Sequence, residues 1–186
     1  MGLILASASP RRAELLASAG FSFTVQTAEV DETPIFGEAP EAYVRRIARA
    51  KAQAVAADCR KSGSIVLGAD TAVVAHGEIL AKPDSKEDAI RMLKMLSGAV
   101  HDVLTGVSIV AGGHEQTEVV RTRVRVLPIS LDEITWYVDT GEPDGKAGAY
   151  AIQGRAARFI DWIEGSWSNV VGLPVATVYQ MLKKVS

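Results

Sequence analysis

One acidic side chain lies inside an apolar run that is otherwise typical of a buried β-strand. The run covers residues 65–75, Ile-Val-Leu-Gly-Ala-Asp-Thr-Ala-Val-Val-Ala, and its acid is Asp70. An unpaired ionised carboxylate in such a strand would cost several kcal/mol. We therefore expect Asp70 at an opening, in an ion pair or on a metal ion.

Two arginines follow the point where the first predicted strand runs into the first helix. Ser9 is a favourable N-cap, and Pro10 suits the first helical position. Arg11 and Arg12 follow in the first turn, where the helix dipole disfavours cations unless an anion is present. This pattern indicates phosphate binding, and the alternative is a capped helix with two solvated arginines.

Three more charged residues could join a phosphate site. Lys51 falls on the apolar stripe of a predicted helix, where a lysine either snorkels to the surface or projects its ammonium into a cleft. Lys82 follows a hairpin turn that we expect to bring it back towards Asp70. Glu32 lies in an acidic stretch, which is usually a solvated loop unless phosphate chemistry elsewhere requires metal ligands.

A glycine-rich loop over residues 140–154 carries Lys146 and Gln153. Such a loop can bring backbone N–H groups close to an anion, but this one lacks the spacing of a P-loop or a dinucleotide-binding fingerprint. Glycine-rich loops are more often turns. The loop alone therefore assigns no function.

The composition excludes several classes of protein. With 186 residues and 48% hydrophobic content, the chain can build one well-buried core or one domain with two lobes. A net charge of −2 and no basic block argue against nucleic-acid binding. The single cysteine, Cys59, cannot form an internal disulfide, and no Cys/His cluster has zinc-ligand spacing. No segment is long enough to span a bilayer, so we expect a cytoplasmic protein.

The remaining pattern predicts alternating strands and helices. Two capping boxes, Ser85 with Asp88 and Ser130 with Glu133, mark helix starts. The other predicted elements are a strand at 21–25, helices at 41–58 and 86–96 and one ending near 138, a hairpin of 103–111 and 117–127 with Arg121, Arg123 and Arg125 facing solvent, a strand at 157–163, a loop at 165–169 and a helix begun by Pro174.

Taken together, these positions and their neighbours strongly resemble the Maf family of nucleoside triphosphate pyrophosphatases. The resemblance runs from residue 3 to residue 174 in the family's order. It rests on Ser7-Ala8-Ser9-Pro10-Arg11-Arg12, Val30-Asp31-Glu32, Lys51, Gly68-Ala69-Asp70-Thr71, Lys82-Pro83, Leu96-Ser97-Gly98, Thr105-Gly106-Val107, Gly141-Glu142-Pro143, Lys146-Ala147-Gly148, Ile152-Gln153-Gly154 and Asn169-Val170-Val171-Gly172-Leu173-Pro174.

The resemblance implies a fold and a reaction. The fold is α/β, an elongated mixed sheet flanked by helices in two lobes with a nucleotide cleft between them, as in the inosine triphosphatase enzymes. We expect one such domain over residues 1–186. The reaction is cleavage between the α and β phosphates, which gives a nucleoside monophosphate and pyrophosphate. The expected partners are a nucleoside triphosphate, no nucleic acid and no membrane, with a homodimer left open.

The resemblance also implies residue roles. The aspartate matching Asp70 is the proton acceptor, and we expect Asp70 and Glu32 to bind the divalent cofactor, Mg²⁺ or Mn²⁺. The positions matching Arg12, Thr71 and Gln153 are associated with base preference, and the combination here resembles the branch acting on dTTP and UTP. A sister branch acting on 7-methyl-GTP carries glutamine and glutamate at the last two. The complete expected substrate-binding set is Ser9, Arg12, Lys51, Thr71, Lys82, Lys146 and Gln153.

Two departures from the family pattern and two alternative functions stay open. Gly145 stands where the family commonly has aspartate before the lysine, and Ala99 where it commonly has arginine. Asp144 could replace the missing aspartate. One alternative is a nucleotide-binding regulator of septum formation with little turnover, and the other is a structural α/β module. A mere binder gains little from Asp70 beside a polyphosphate, and a structural module needs neither that acid nor Lys51.

Overall fold

The structure is a computed structural model that describes residues 2–27, 29–58 and 63–185; Cys59 lies outside them. The described strands are β1 Leu3–Ala6, β2 Phe23–Val25, β3 Ile65–Ala75, β4 Glu78–Leu80, β5 Val100–Ala111, β6 His114–Val126 and β7 Ile160–Glu164. The described α-helices are α1 Pro10–Ser18, α2 Pro40–Asp58, α3 Lys86–Leu96, α4 Leu131–Asp139, α5 Trp167–Val171 and α6 Val175–Lys183.

The strands described form one mixed sheet in the order β2-β1-β3-β5-β6-β7, with β4 paired to β3. β1 pairs in parallel with β2 and with β3, and Ala6 at the end of β1 lies opposite Gly68. β4 and β7 pair antiparallel with β3 and β6. This arrangement confirms the predicted α/β class with a mixed sheet flanked by helices.

The chain divides into two compact units. Unit 1 comprises Met1–Thr71, Thr105–Val120 and Gly172–Ser186, and unit 2 comprises Ala72–Leu104 and Arg121–Val171. In unit 1, side chains alternate across the strands and bury both sheet faces. Leu5 and Leu67 join the cluster that includes Leu16 of α1 and Met181 of α6. Ile4 and Val66 join the one that includes Ala52 and Val55 of α2.

In unit 2, helices α3 and α4 pack against each other. Tyr137 of α4 is fully buried and meets Phe159 edge to face. Both predicted capping boxes begin helices. In each, the serine side chain accepts a hydrogen bond from the backbone N–H three residues later. Arg121, Arg123 and Arg125 are exposed, as predicted, and pair with Asp102, Glu164 and Asp161.

Three local predictions are wrong in part. Ser9 is the N-cap residue of α1 and Pro10 is its first residue, as predicted, but the Ser9 side chain makes no capping hydrogen bond. Residues Arg155–Phe159 form a 3-10 helix before β7 begins, and the short helix α5 occupies part of the predicted loop at 165–169. In the described part of the chain, no helix is both long and apolar enough to cross a membrane.

Candidate active site

Strand alternation sets the direction in which Asp70 points. Gly68 and Asp70 are two residues apart on β3, so both face the side on which α2 packs. The pairing of β1 with β3 ends at Gly68, and Asp70 therefore lies beyond the carboxyl end of β1. The carboxyl ends of parallel strands are where open α/β sheets bind ligands.

Two glycines let α2 approach the sheet closely. A Cβ on Gly68 would lie 2.3 Å from the carbonyl oxygen of Ala48, and a Cβ on Gly106 would lie 2.2 Å from that of Val44. Neither distance is compatible with a side chain, so only glycine allows this packing. Because Lys51 belongs to the same helix, its ammonium reaches Asp70, and Nζ donates to Oδ1 at 2.8 Å.

Glu32 meets the same ammonium from a loop. Its Oε1 lies 2.7 Å from Lys51 Nζ. The loop is tied to α2 because the Tyr43 hydroxyl donates to the Glu32 carbonyl oxygen at 3.1 Å, and Arg46 donates to Glu38 and to the Thr33 carbonyl. Lys51 therefore holds two carboxylates that come from separate parts of the sequence.

The environment of Asp70 changes its proton affinity. Asp70 is 7% exposed, and burial raises the pKa of its carboxyl above the ordinary value. The charge and hydrogen bond of Lys51 and the charge of Arg12 act in the opposite direction. A carboxylate with a raised pKa is a stronger base than a solvated one.

Arg12 is buried and connects three segments of unit 1. Its Nε donates to the carbonyl of Gly172 at 2.8 Å, Nη1 to Ser7 Oγ at 3.0 Å and Nη2 to Thr71 Oγ1 at 3.0 Å. Burial lowers the pKa of its guanidinium, while the Asp70 charge raises it. A guanidinium has five N–H donors, so the bonds that Arg12 makes within the described residues leave two donors for another acceptor.

The residues next to Arg12 complete this polar region. Thr71 also lies 2.9 Å from the hydroxyl of Thr105. The Ser9 N–H donates to Ser7 Oγ at 3.2 Å, which is the atom that accepts from Arg12. Arg11 Nε is buried and has no hydrogen-bond partner among the described residues. An unmatched donor in the first turn of a helix suits an anion.

Unit 2 holds the other predicted site residues on loops. Lys82 is exposed and follows β4, while Lys146 precedes the short 3-10 helix Ala147–Ala149. These two loops are joined because the Gly148 N–H donates to the carbonyl of Ala81 at 3.2 Å. Lys146 Nζ donates to the main-chain carbonyl of Asp144 at 3.3 Å, so Asp144 contacts it through its backbone.

Gln153 is exposed on a turn. The sequence did not predict the hydrogen bonds that hold this turn. The Tyr137 hydroxyl donates to Glu142 Oε1 at 2.8 Å, and Glu142 accepts from the backbone N–H groups of Arg155 and Ala156. Glu142 belongs to one of the motifs that resemble the Maf family, but the sequence predicted no role for it. Only the fold reveals that it meets residues 13 and 14 positions later.

The structure thus brings Arg12, Lys51, Asp70 and Thr71 together in unit 1, with Glu32 on the same lysine. In unit 2 it joins the loops of Lys82 and Lys146.

Asp70 and Glu32 fit a divalent cation in their chemistry. Both carboxylates already converge on one cation, the Lys51 ammonium. Among the described residues, no group of three or more His, Cys, Asp or Glu side chains could hold a metal ion. Mg²⁺ usually takes one or two carboxylates and completes its shell with water and substrate phosphates, so two ligands suffice.

The site lies at the carboxyl ends of parallel strands in an α/β sheet and contains two carboxylates, a buried arginine and a helix N-terminus. These groups are typical of a protein that binds phosphorylated ligands. The profile of the Maf-like protein family matches residues 2–185. The chain belongs to the Maf family, as its resemblance predicted.

Curated relatives cover nearly the whole chain. A dTTP/UTP pyrophosphatase of Myxococcus xanthus is 54% identical over 98% of this chain and 91% of its own length. A dTTP/UTP pyrophosphatase of Koribacter versatilis is 52% identical over 99% of this chain and 94% of its own. A solved nucleoside-triphosphatase / dITP/XTP pyrophosphatase from Mycobacterium abscessus covers 100% of this chain and 94% of its own, with 14% identity and a TM-score of 0.46.

Proposed function

We propose that this protein hydrolyses dTTP and UTP, and modified pyrimidine nucleotides of the same shape, to the nucleoside monophosphate and pyrophosphate. Relatives that are 52% to 54% identical over nearly the full chain carry the name dTTP/UTP pyrophosphatase. The structural observation that carries the proposal is the buried Asp70 carboxylate beside Glu32, Lys51 and Arg12. We also propose a cytoplasmic location, which the single cysteine supports.

Asp70 is the general base in this proposal. Its carboxylate accepts a proton from a water molecule as the water oxygen bonds to the α-phosphorus. The bond between the α-phosphorus and the bridging oxygen breaks, and pyrophosphate leaves with that oxygen. The buried position and raised pKa of Asp70 support this role.

Asp70 and Glu32 would hold Mg²⁺ or Mn²⁺, which supplies positive charge against the crowded phosphate oxygens. Ser9, Arg12, Lys51, Lys82 and Lys146 bind the phosphates, and charge-assisted bonds from the cationic members stabilise the developing negative charge. Arg12 also bridges phosphate and base. Thr71 and Gln153 offer a hydroxyl and an amide to the base edge.

Pyrophosphate release from purified protein tests the proposal. The substrates are dTTP, UTP, CTP, 7-methyl-GTP and modified pyrimidine triphosphates, each with Mg²⁺, with Mn²⁺ and with a chelator. We expect the fastest release from dTTP and UTP, dependent on the metal. Faster hydrolysis of 7-methyl-GTP, or release of orthophosphate instead, would contradict it. Tight binding of dTTP without turnover would favour a regulator.

A further inference from the structure

Two side chains of unit 2, Tyr137 and Glu142, hold the turn on which Gln153 lies. We propose that Tyr137 and Glu142 are positioning residues that set nucleobase selectivity by fixing Gln153. This inference rests on the proposed function, in which Gln153 recognises the base. Neither Tyr137 nor Glu142 needs to contact the nucleotide.

Glu142 fixes the chain immediately after Gln153. Its Oε2 accepts from the Arg155 N–H at 3.0 Å, and its Oε1 accepts from the Ala156 N–H at 3.3 Å and from the Tyr137 hydroxyl at 2.8 Å. Burial alone would raise the pKa of Glu142, but the bonds from Arg155, Tyr137 and Ala156 lower it below its usual value. Glu142 is therefore an ionised acceptor for three donors.

Tyr137 fixes the chain just before Gln153. Its hydroxyl oxygen accepts from the Ala151 N–H at 3.2 Å while the hydroxyl hydrogen goes to Glu142. The Gly154 N–H donates to the Ala151 carbonyl at 3.0 Å and closes a tight turn with Gln153 at its third position. One hydrogen-bonded pair of side chains thus supports both sides of the turn.

Packing makes this support rigid. Tyr137 is completely buried, and a Cβ on Gly154 would lie 2.5 Å from each carboxylate oxygen of Glu142. The backbone therefore rests directly on the carboxylate. Because three hydrogen bonds hold this carboxylate in place, we expect a change in the hydrogen bonding of Glu142 to shift residue 154 and its neighbour Gln153.

Base selectivity depends on small displacements. Uracil and thymine present a carbonyl acceptor and an N–H donor where cytosine presents an amino donor and a ring-nitrogen acceptor. An amide such as that of Gln153 can match the first pair, and hydrogen bonds weaken steeply with misalignment. A loosened turn should therefore reduce discrimination between UTP and CTP more than it reduces the rate of phosphate chemistry.

The test compares Glu142→Gln and Tyr137→Phe with wild type and with the matched control Glu133→Gln. Glutamine at 142 would turn one amide N–H₂ towards a donor, and phenylalanine at 137 removes both hydroxyl bonds. We expect a rise in KM for UTP of about tenfold, with kcat within about threefold, and a fall of the UTP-to-CTP ratio of kcat/KM by about fivefold or more. Glutamine at 133 also suits a capping box, so the control should keep the ratio.

A double-mutant cycle separates positioning from general loosening. In a Gln153→Ala background, Glu142→Gln should change the UTP-to-CTP ratio no further, because its effect passes through Gln153. Equal loss of UTP and CTP turnover, or full additivity with Gln153→Ala, would make Glu142 merely structural and overturn the inference. Absence of any wild-type hydrolysis would overturn the proposed function and this inference with it.

Discussion

The two units bury polar side chains in different ways. Unit 1 buries charge: Arg12 and Asp70 are both under one-tenth exposed, and Lys51 is mostly covered. In the part of the chain that the structure describes, the buried polar side chains of unit 2 are His101, Thr122 and Asn169, which have no obligatory charge. Burial lowers the pKa of His101 to about 4, so the imidazole is neutral at pH 7.

This difference indicates that buried polar groups serve chemistry in unit 1 and packing in unit 2. Burying a charge is costly even when it is paired, so buried ions suit places where a reaction uses their charge. Neutral partners such as His101 and Tyr150, whose ring nitrogen and hydroxyl lie 2.8 Å apart, specify packing at lower cost. Unit 2 keeps its own predicted site residues on the surface and fixes the backbone beneath them.

The largest effect is expected where buried charge and chemistry coincide. Asp70→Asn keeps the shape of the side chain but removes the base, so turnover of dTTP should fall by about a hundredfold or more. Binding of dTTP should largely survive, because a negative charge beside the triphosphate is lost. Steady-state rates and calorimetric binding measure the two effects. Asp139→Asn, at an exposed ion pair, is the control, and wild-type turnover in Asp70→Asn would refute the assignment.

The neutral interior of unit 2 should make it sensitive to acid. The folded pKa of His101 is about 4, below the ordinary 6.5, so the unfolded chain binds the proton first as pH falls. The stability contributed by neutral His101 is present above pH 6.5 and is lost on the way to pH 4, by about 3 kcal/mol.

Urea unfolding at a series of pH values measures this loss. His101→Gln keeps a hydrogen-bonding group for Tyr150 but cannot titrate, so its unfolding free energy should fall less steeply over the same range. His114→Gln, at an exposed position, controls for the loss of an imidazole. Identical slopes in wild type and His101→Gln would exclude His101 as the cause.

Arginine and lysine should not be interchangeable within unit 1. Arg12→Lys keeps the charge, but one ammonium cannot reach Gly172, Ser7 and Thr71 with the geometry of a guanidinium. We expect the unfolding free energy to fall by about 2 kcal/mol through lost bonds to buried acceptors. The same change at exposed Arg125 in unit 2 should cost less than about 1 kcal/mol, and equal losses would remove the distinction between the units.

The smallest change in stability is expected at Lys82. Its side chain is exposed, so Lys82→Ala should alter the unfolding free energy by no more than about 0.5 kcal/mol. The KM for dTTP should nevertheless rise, because a phosphate-binding charge is lost. Thermal unfolding and steady-state kinetics on the same preparation separate the effects. An unchanged KM would remove Lys82 from the site.

Local patterns predicted the parts of the site that local rules control. An acid in an apolar strand implied a partner, and Lys51 on an apolar helix stripe is that partner. Ser9 takes the predicted N-cap position, but its hydroxyl makes no capping bond, and its backbone N–H donates to Ser7 Oγ. The strand predicted over residues 157–163 begins only at Ile160, because residues Arg155–Phe159 form a 3-10 helix whose first N–H groups donate to Glu142. Contacts between distant segments leave no periodic signal in a sequence.

Substitutions at the two glycines that pack against α2 should inactivate the protein, although these glycines take no part in the chemistry of the site. In a random-mutagenesis screen for inactive clones, Gly68→Ala and Gly106→Ala should be recovered beside Asp70 variants, although neither glycine offers a side-chain atom to a nucleotide. A single methyl group would lift the helix and carry its lysine away from both carboxylates. Such lesions would be geometric, so excess nucleotide or metal should not rescue them.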